Sequence, residues 1–316
     1  MQRILLAGLA MVLALHTWAC DICGIYLNVQ PQDRTTQFSL LYKLRVLRGE
    51  FTSRGLAKHG DAAVPVGTVN RIEELYQTVE LRADLQLRQR WSLLLSVPLV
   101  NHYQSVNDQR TADLYGMGDP LVLARFQLAN TQCGPDEDRF VHRLLIGGGV
   151  KLPLGRDDMT YNDEAVDADL QPGTGTVDFL ASVEYTVRKR KTILASSNVL
   201  RFNTPDGTGF RFGHGVNSSL ELMRTMKAGP LQVAPSLGGY MELTMAEHQD
   251  AKPIEGTTNN VLFSQAGLRA WWRSWMLTGA WQHALINDAG PFMMPNRDRA
   301  VFGISYLLNK NNNQNN

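Results

Sequence analysis

Beyond its first 19 residues, this chain of 316 residues lacks any apolar run long enough to cross a bilayer as a helix, which takes about 20 residues. Cysteine is scarce, three in all, too few for a disulfide framework or a four-thiolate metal site. An excess of one charge is missing too. The 31 basic and 30 acidic residues leave +1, so nothing draws the chain to nucleic acid or another polyanion. A hydrophobic content of 44% and a mean hydropathy of -0.21 are those of a water-soluble protein. A membrane barrel has similar averages, because every second residue faces its lumen.

What is present is alternation. Over Thr174–Arg188, Val177, Phe179, Ala181, Val183, Tyr185 and Val187 share one face, and Asp178, Ser182, Glu184, Thr186 and Arg188 the other. Period two is strand geometry. Arg71–Arg88 repeats it, with Val79, Leu81, Ala83, Leu85 and Leu87 against Thr78, Glu80, Arg82, Asp84 and Gln86. A face this charged suits a wet lumen better than a packed core.

About twelve such strands are expected between Thr35 and Leu308, the fourth over Gly118–Ala129. Their connections alternate in length. Gln89-Arg90, Lys189-Arg190, Met226–Ala228 and Arg273-Ser274 are tight turns, with Asn130–Arg139 a longer member of the set. Gly49–Asn70, Asn107–Met117, Pro153–Gly173, Thr204–Phe210, Glu247–Thr257 and Leu285–Asn296 are long loops. Short periplasmic turns and long outer loops are the pattern of an all-β fold, the transmembrane antiparallel β-barrel of the Gram-negative outer membrane.

The flanks agree with that location. Met1–Ala19, with Arg3 before the apolar Ile4–Leu15 and a small residue at Ala19, reads as a cleaved signal peptide. Residues 20–34 then form a periplasmic N-terminal segment, 35–308 the barrel, and 309–316 a disordered polar tail. Trp91, Trp271, Trp272, Trp275, Trp281, Tyr185 and Tyr306 are expected at the headgroup level.

Strand parity nominates the lumen. Lys43, Arg45, Glu80, Arg82, Asp84, Arg125, Lys151, Asp178, Glu184, Glu221, Glu242 and Arg269 fall on inward positions. They form either a salt-bridged network that stiffens a narrow barrel or a charged constriction that selects solutes. On this parity Val183→Arg is expected to be damaging and Glu184→Arg to be tolerated.

Cys20 and Cys23 form a C-x-x-C that admits a disulfide, acylation of Cys20, or capture of a metal. Cys133, in a periplasmic turn, is a third disulfide candidate. The acidic run Asp157, Asp158, Asp163, Glu164, Asp167 and Asp169 reads as a solvated outer loop, with a hard cation as the alternative. His102, His214, His248 and His283 lie near strand ends without a motif that joins a nucleophile to a base, so no enzyme is expected.

Several segments look familiar together. They are Cys20–Gly24 (CDICG), Glu74–Thr78, Gly116-Met117-Gly118-Asp119-Pro120, Gly147–Gly155 (GGGVKLPLG) and Leu170–Gly175 (LQPGTG). In these the chain resembles a family of outer-membrane β-barrels usually called only "transporter". It is also similar to the broader barrel group named for the meta-pathway of phenol degradation. The resemblance implies a passive channel or uptake barrel for small solutes, apolar ones included. The alternatives are a non-conducting structural or binding barrel and an outer-membrane hydrolase. Outer-membrane lipids and an unspecified solute are the partners this implies. No cofactor and no nucleic acid are expected, and the oligomeric state stays open.

Overall fold

The computed structural model describes residues 35–52, 69–131, 139–291 and 293–308. The expected signal peptide, Cys20, Cys23, Cys133 and the polar tail lie outside the described residues.

Twelve antiparallel strands close into one barrel. They are β1 (Thr36–Thr52), β2 (Val69–Gln86), β3 (Trp91–Val106), the interrupted β4 (Gln109–Met117 and Leu121–Asn130), β5 (Val141–Lys151) and β6 (Asp178–Lys189). The second half comprises β7 (Thr192–Phe202), β8 (Gly215–Arg224), β9 (Leu231–Thr244), β10 (Asn259–Trp272), β11 (Trp275–Ala289) and β12 (Asn296–Leu308). Each strand pairs with its neighbours in sequence, and β1 pairs with β12 from Thr36↔Leu308 upward, so the ring has no free edge at that seam. Closure satisfies backbone groups that hydrocarbon cannot.

Period-two alternation decides which face meets lipid. Phe38, Leu40, Leu81, Leu99, Phe179, Leu237, Leu268, Leu277 and Phe302 point outward and are 45–70% exposed. Water would not tolerate so continuous an apolar belt on a monomer. The inner face carries the polar partners of the same strands. No helix among the described residues is long and apolar enough to cross a membrane.

Substituting Val183, outward and 42% exposed on β6, by arginine is expected to cost about 2–4 kcal/mol of barrel stability near the midplane. Urea unfolding in micelles would measure it. Glu184 is not the tolerant neighbour that parity alone suggests. It is 4% exposed and paired with Arg125 at 3.3 Å. An arginine there would oppose a second guanidinium, so Glu184→Gln is the proper control.

At the periplasmic end, Arg190 and Arg273 adopt φ of 51° and 53° in the tight β6–β7 and β10–β11 turns. Trp91, Trp272, Trp275 and Tyr306 ring this rim outward, Trp275 lying edge-on to Tyr306 at 5.0 Å. Trp271 departs from expectation. It points inward, 6% exposed, and packs with Ala234, Met276 and Leu307. Only one residue of a Trp-Trp pair in a strand can face lipid.

The opposite end has a second departure. Asn107–Met117 is not a loop. Asn107 and Asp108, at φ 52° and 64°, form a two-residue hairpin turn of the primed kind. From it Gln109–Met117 returns along β3 as the upper half of β4. A tag inserted between Asn162 and Asp163, at the tip of the β5–β6 loop, is expected to be reachable by antibody on intact cells. A tag at Lys189-Arg190 is expected to stay hidden, and the reverse pattern would invert the topology.

Candidate functional site

The interruption of β4 organises the outer half of the lumen. Strand β3 pairs with both halves of β4, but β5 pairs only with the lower one, from Leu121↔Lys151 downward. Between the halves stand Gly118, Asp119 and Pro120. Pro120 has no N–H to give a ladder. A Cβ on Gly118 would come within 3.0 Å of the Pro98 ring and 3.1 Å of the Pro172 carbonyl, so a larger residue fits only if these neighbours give way.

Asp119 clamps the base of the β5–β6 loop. Its Oδ1 accepts from the Gly155 N–H at 2.9 Å, and its Oδ2 from the Thr174 N–H and hydroxyl at 2.9 and 2.8 Å. Lys151 Nζ reaches Oδ2 at 3.2 Å and Asp178 at 2.5 Å. Gly155 and Gly173 meet backbone to backbone beside this carboxylate, and a side chain on Gly173 would overlap Gly155. Two of the motifs, Gly116–Pro120 and Leu170–Gly175, are thus the two sides of one contact.

From this clamp the loop turns inward. A short 3-10 turn, Ala168–Leu170, places Leu170 against Leu47, Tyr76 and Ala112 on the inner wall. Leu170 is 2% exposed, and its carbonyl accepts from His102 Nδ1 at 3.0 Å. Gln171 ties the strap together through Met159 and Val166. Tyr76 and Gln104 donate to Glu74 beneath it, at 3.0 and 2.9 Å.

Under the strap lies a cavity of about 150 Å³. Below it the lumen narrows to a pocket of about 30 Å³ beside Asp84, Arg125 and Glu184. Leu94, Leu121, Leu123, Leu180 and Val199 form an apolar cluster on the inner wall. Ion pairs line much of the rest. Arg125 joins Asp84 at 2.6 Å to Glu184 at 3.3 Å, Arg82 meets Glu80 at 2.7 Å, and Arg269 meets Glu221 at 2.9 Å. Lys43 also pairs with Glu80. All twelve lumen candidates lie on the inner face, and eleven of them take part in these pairs or in the Lys151 and Arg299–Glu242 pairs. The twelfth, Arg45, donates to Asn296 at 2.9 Å and sits over the Tyr76 ring.

Arg299, Arg201, Arg143, Glu74 and Asp119 are buried inward charges that were not nominated. Arg299 shares parity with Val301 and Ser305, and Arg201 with Ser197 and Val199, so the same rule reaches them.

The other candidates disperse. Asp158 pairs with the exposed Arg156, and among the described residues no three His, Cys, Asp or Glu converge as metal ligands. His283 pairs with Asp298 on the outer face at 2.9 Å. His214 lies in the outer β7–β8 loop, where burial and then Arg211 push its imidazole below the usual value.

The fold and its lumen define a class: a narrow twelve-stranded β-barrel of the outer-membrane type, with an outer loop folded into its mouth. Among solved structures it is similar to an outer membrane channel from Pseudomonas putida F1, with TM-score 0.59 and 12% identity over 89% of this chain and 100% of that one. It also overlaps the β domain of the Bordetella autotransporter BrkA, at TM-score 0.43 and 11% identity, over 87% and 100% of the two chains. For the toluene transporter TodX of P. putida the values are 0.36 and 9%, over 88% and 91%. At these identities the likeness to the first is one of fold. No family model matches the sequence, and no curated protein matches it.

Proposed function

We propose that the chain is an outer-membrane channel through which small solutes enter, not an enzyme, with outer-membrane lipids as its surroundings. The observation that carries this is the cavity beneath the inward strap, enclosed by a wall whose outer face is lipid-compatible on every strand. A structural barrel has no need of a strap clamped at its base and a chamber below it. The fold shared with a known channel supports the reading, as does the sequence resemblance.

One observation favours a second reading. The cluster Leu94, Leu123, Leu180 and Val199 projects into the lumen from four strands and narrows it, as a non-conducting binding barrel would have it. Conductance in a planar bilayer separates the two. A channel gives discrete openings and swelling of solute-loaded liposomes. Purified, folded protein that gives neither across a panel of small solutes would leave the binding barrel.

A further inference from the structure

We propose that the cavity under the strap binds a small amphipathic carboxylate, one ring or a short branched chain bearing one acid group, and that Lys43 selects its charge. The proposal names the solute class for the channel reading, yet binding itself requires no conduction.

Size sets the first limit. A cavity of about 150 Å³ is that of an apolar cavity able to hold benzene. The lining sets the second. Pro98, Val100, Pro172 and Val301 supply apolar surface, and Tyr76 and Tyr240 supply ring faces. Such a lining recognises the body of a solute but not its charge.

Charge follows from the remaining side chains. Six basic residues line the cavity, against two acidic ones, Glu80 and Asp119. The carboxylates of both are already engaged. Glu80 accepts from Arg82 at 2.8 Å and Ser96 at 2.7 Å besides pairing with Lys43, and its side chain is 3% exposed. Asp119 is 1% exposed and holds the strap. Other carboxylates stand behind the lining: Glu242 under Arg299 and Asp178 under Lys151.

The groups turned to the cavity are therefore donors. Lys43 is the most open of the paired ones, at 21% of its side chain. Arg45 and Arg299 flank it, over the rings of Tyr76 and Tyr240. A neutral ring entering here would desolvate these donors and return no acceptor. A cation would meet like charge. A carboxylate offers two acceptor oxygens to them.

The test uses the full folded chain in detergent, with titration calorimetry of benzoate, benzyl alcohol and benzylamine. Benzoate is expected to bind at least about tenfold more tightly than the other two, the scale of a charge-assisted contact. Lys43→Gln is expected to remove most of that preference, and Glu80 keeps Arg82 and Ser96 in this variant. If the variant does not fold, the three ligands on the wild type decide alone. Equal binding of all three, preference for benzylamine, no saturable benzoate binding, or an unchanged preference in Lys43→Gln would each overturn the proposal. Saturable benzoate binding without conductance would instead overturn only the channel reading, and conductance without benzoate binding only this one.

Discussion

Replacing Arg125 by leucine is expected to cost about 3–5 kcal/mol of barrel stability, the range for removing one member of a buried ionic set. Arg125 projects inward from β4, 6% exposed. It reaches Asp84 on β2 at 2.6 Å and Glu184 on β6 at 3.3 Å, and so spans five consecutive strands of the wall. Leucine fills much of the volume but removes the cation that two buried carboxylates share. Arg125→Lys keeps the charge and loses the fork that serves both acids, so it should fall between. Urea unfolding in micelles gives the comparison. A loss under about 1 kcal/mol for Arg125→Leu would mean that water reaches this level of the lumen and screens the pair.

The value of that arginine was half legible in the sequence. Parity placed Arg125, Asp84 and Glu184 on the inner face, because a strand side chain has only two directions to take. Parity says nothing of which inward charges meet. Asp84 and Glu184 lie 41 and 59 residues from Arg125, and only the closed ring brings them together. The same limit explains the misjudged Glu184→Arg substitution, which treated an inward position as a free one. Trp271 failed for a narrower reason. Two adjacent tryptophans at a rim look alike by composition, and the register of β10, in which Arg269 faces in, decides between them.

The strap was less legible still. Residues 153–173 have the length and acidity of an outer loop, and nothing local says that they fold inward. The signals were the motifs at its two ends and in β4, which look unremarkable singly. Asp119 is 36 residues from Gly155 and 55 from Thr174. The hairpin at Asn107-Asp108 was within reach, since two residues able to take positive φ between polar strand ends are a turn signal. It was obscured by the even alternation of long and short connections elsewhere.

Replacing Asp119 by alanine is expected to raise conductance, or the swelling rate of solute-loaded liposomes, several-fold while leaving the barrel folded. The carboxylate is the common acceptor for both ends of the strap, with Gly155 on one side and Thr174 on the other. Hydrogen bonds to a charged group are each worth about 1.5–3 kcal/mol, and alanine forfeits three at once. Lys151 keeps Asp178 at 2.5 Å, so the wall below does not inherit an unpaired cation. The strap would keep Leu170 and Val166 against Leu47, Tyr76 and Ala112, the bond from His102, and Tyr161 beside Arg110. Against these contacts stands the freedom that more than twenty residues regain on release. Asp119→Asn separates charge from geometry: its amide oxygen can still accept from the backbone N–H groups, so its effect should be the smaller. Unchanged conductance in Asp119→Ala, with the folded barrel verified by its heat-dependent shift on gels, would place the barrier at the Leu94, Leu123, Leu180 and Val199 cluster and not at the mouth.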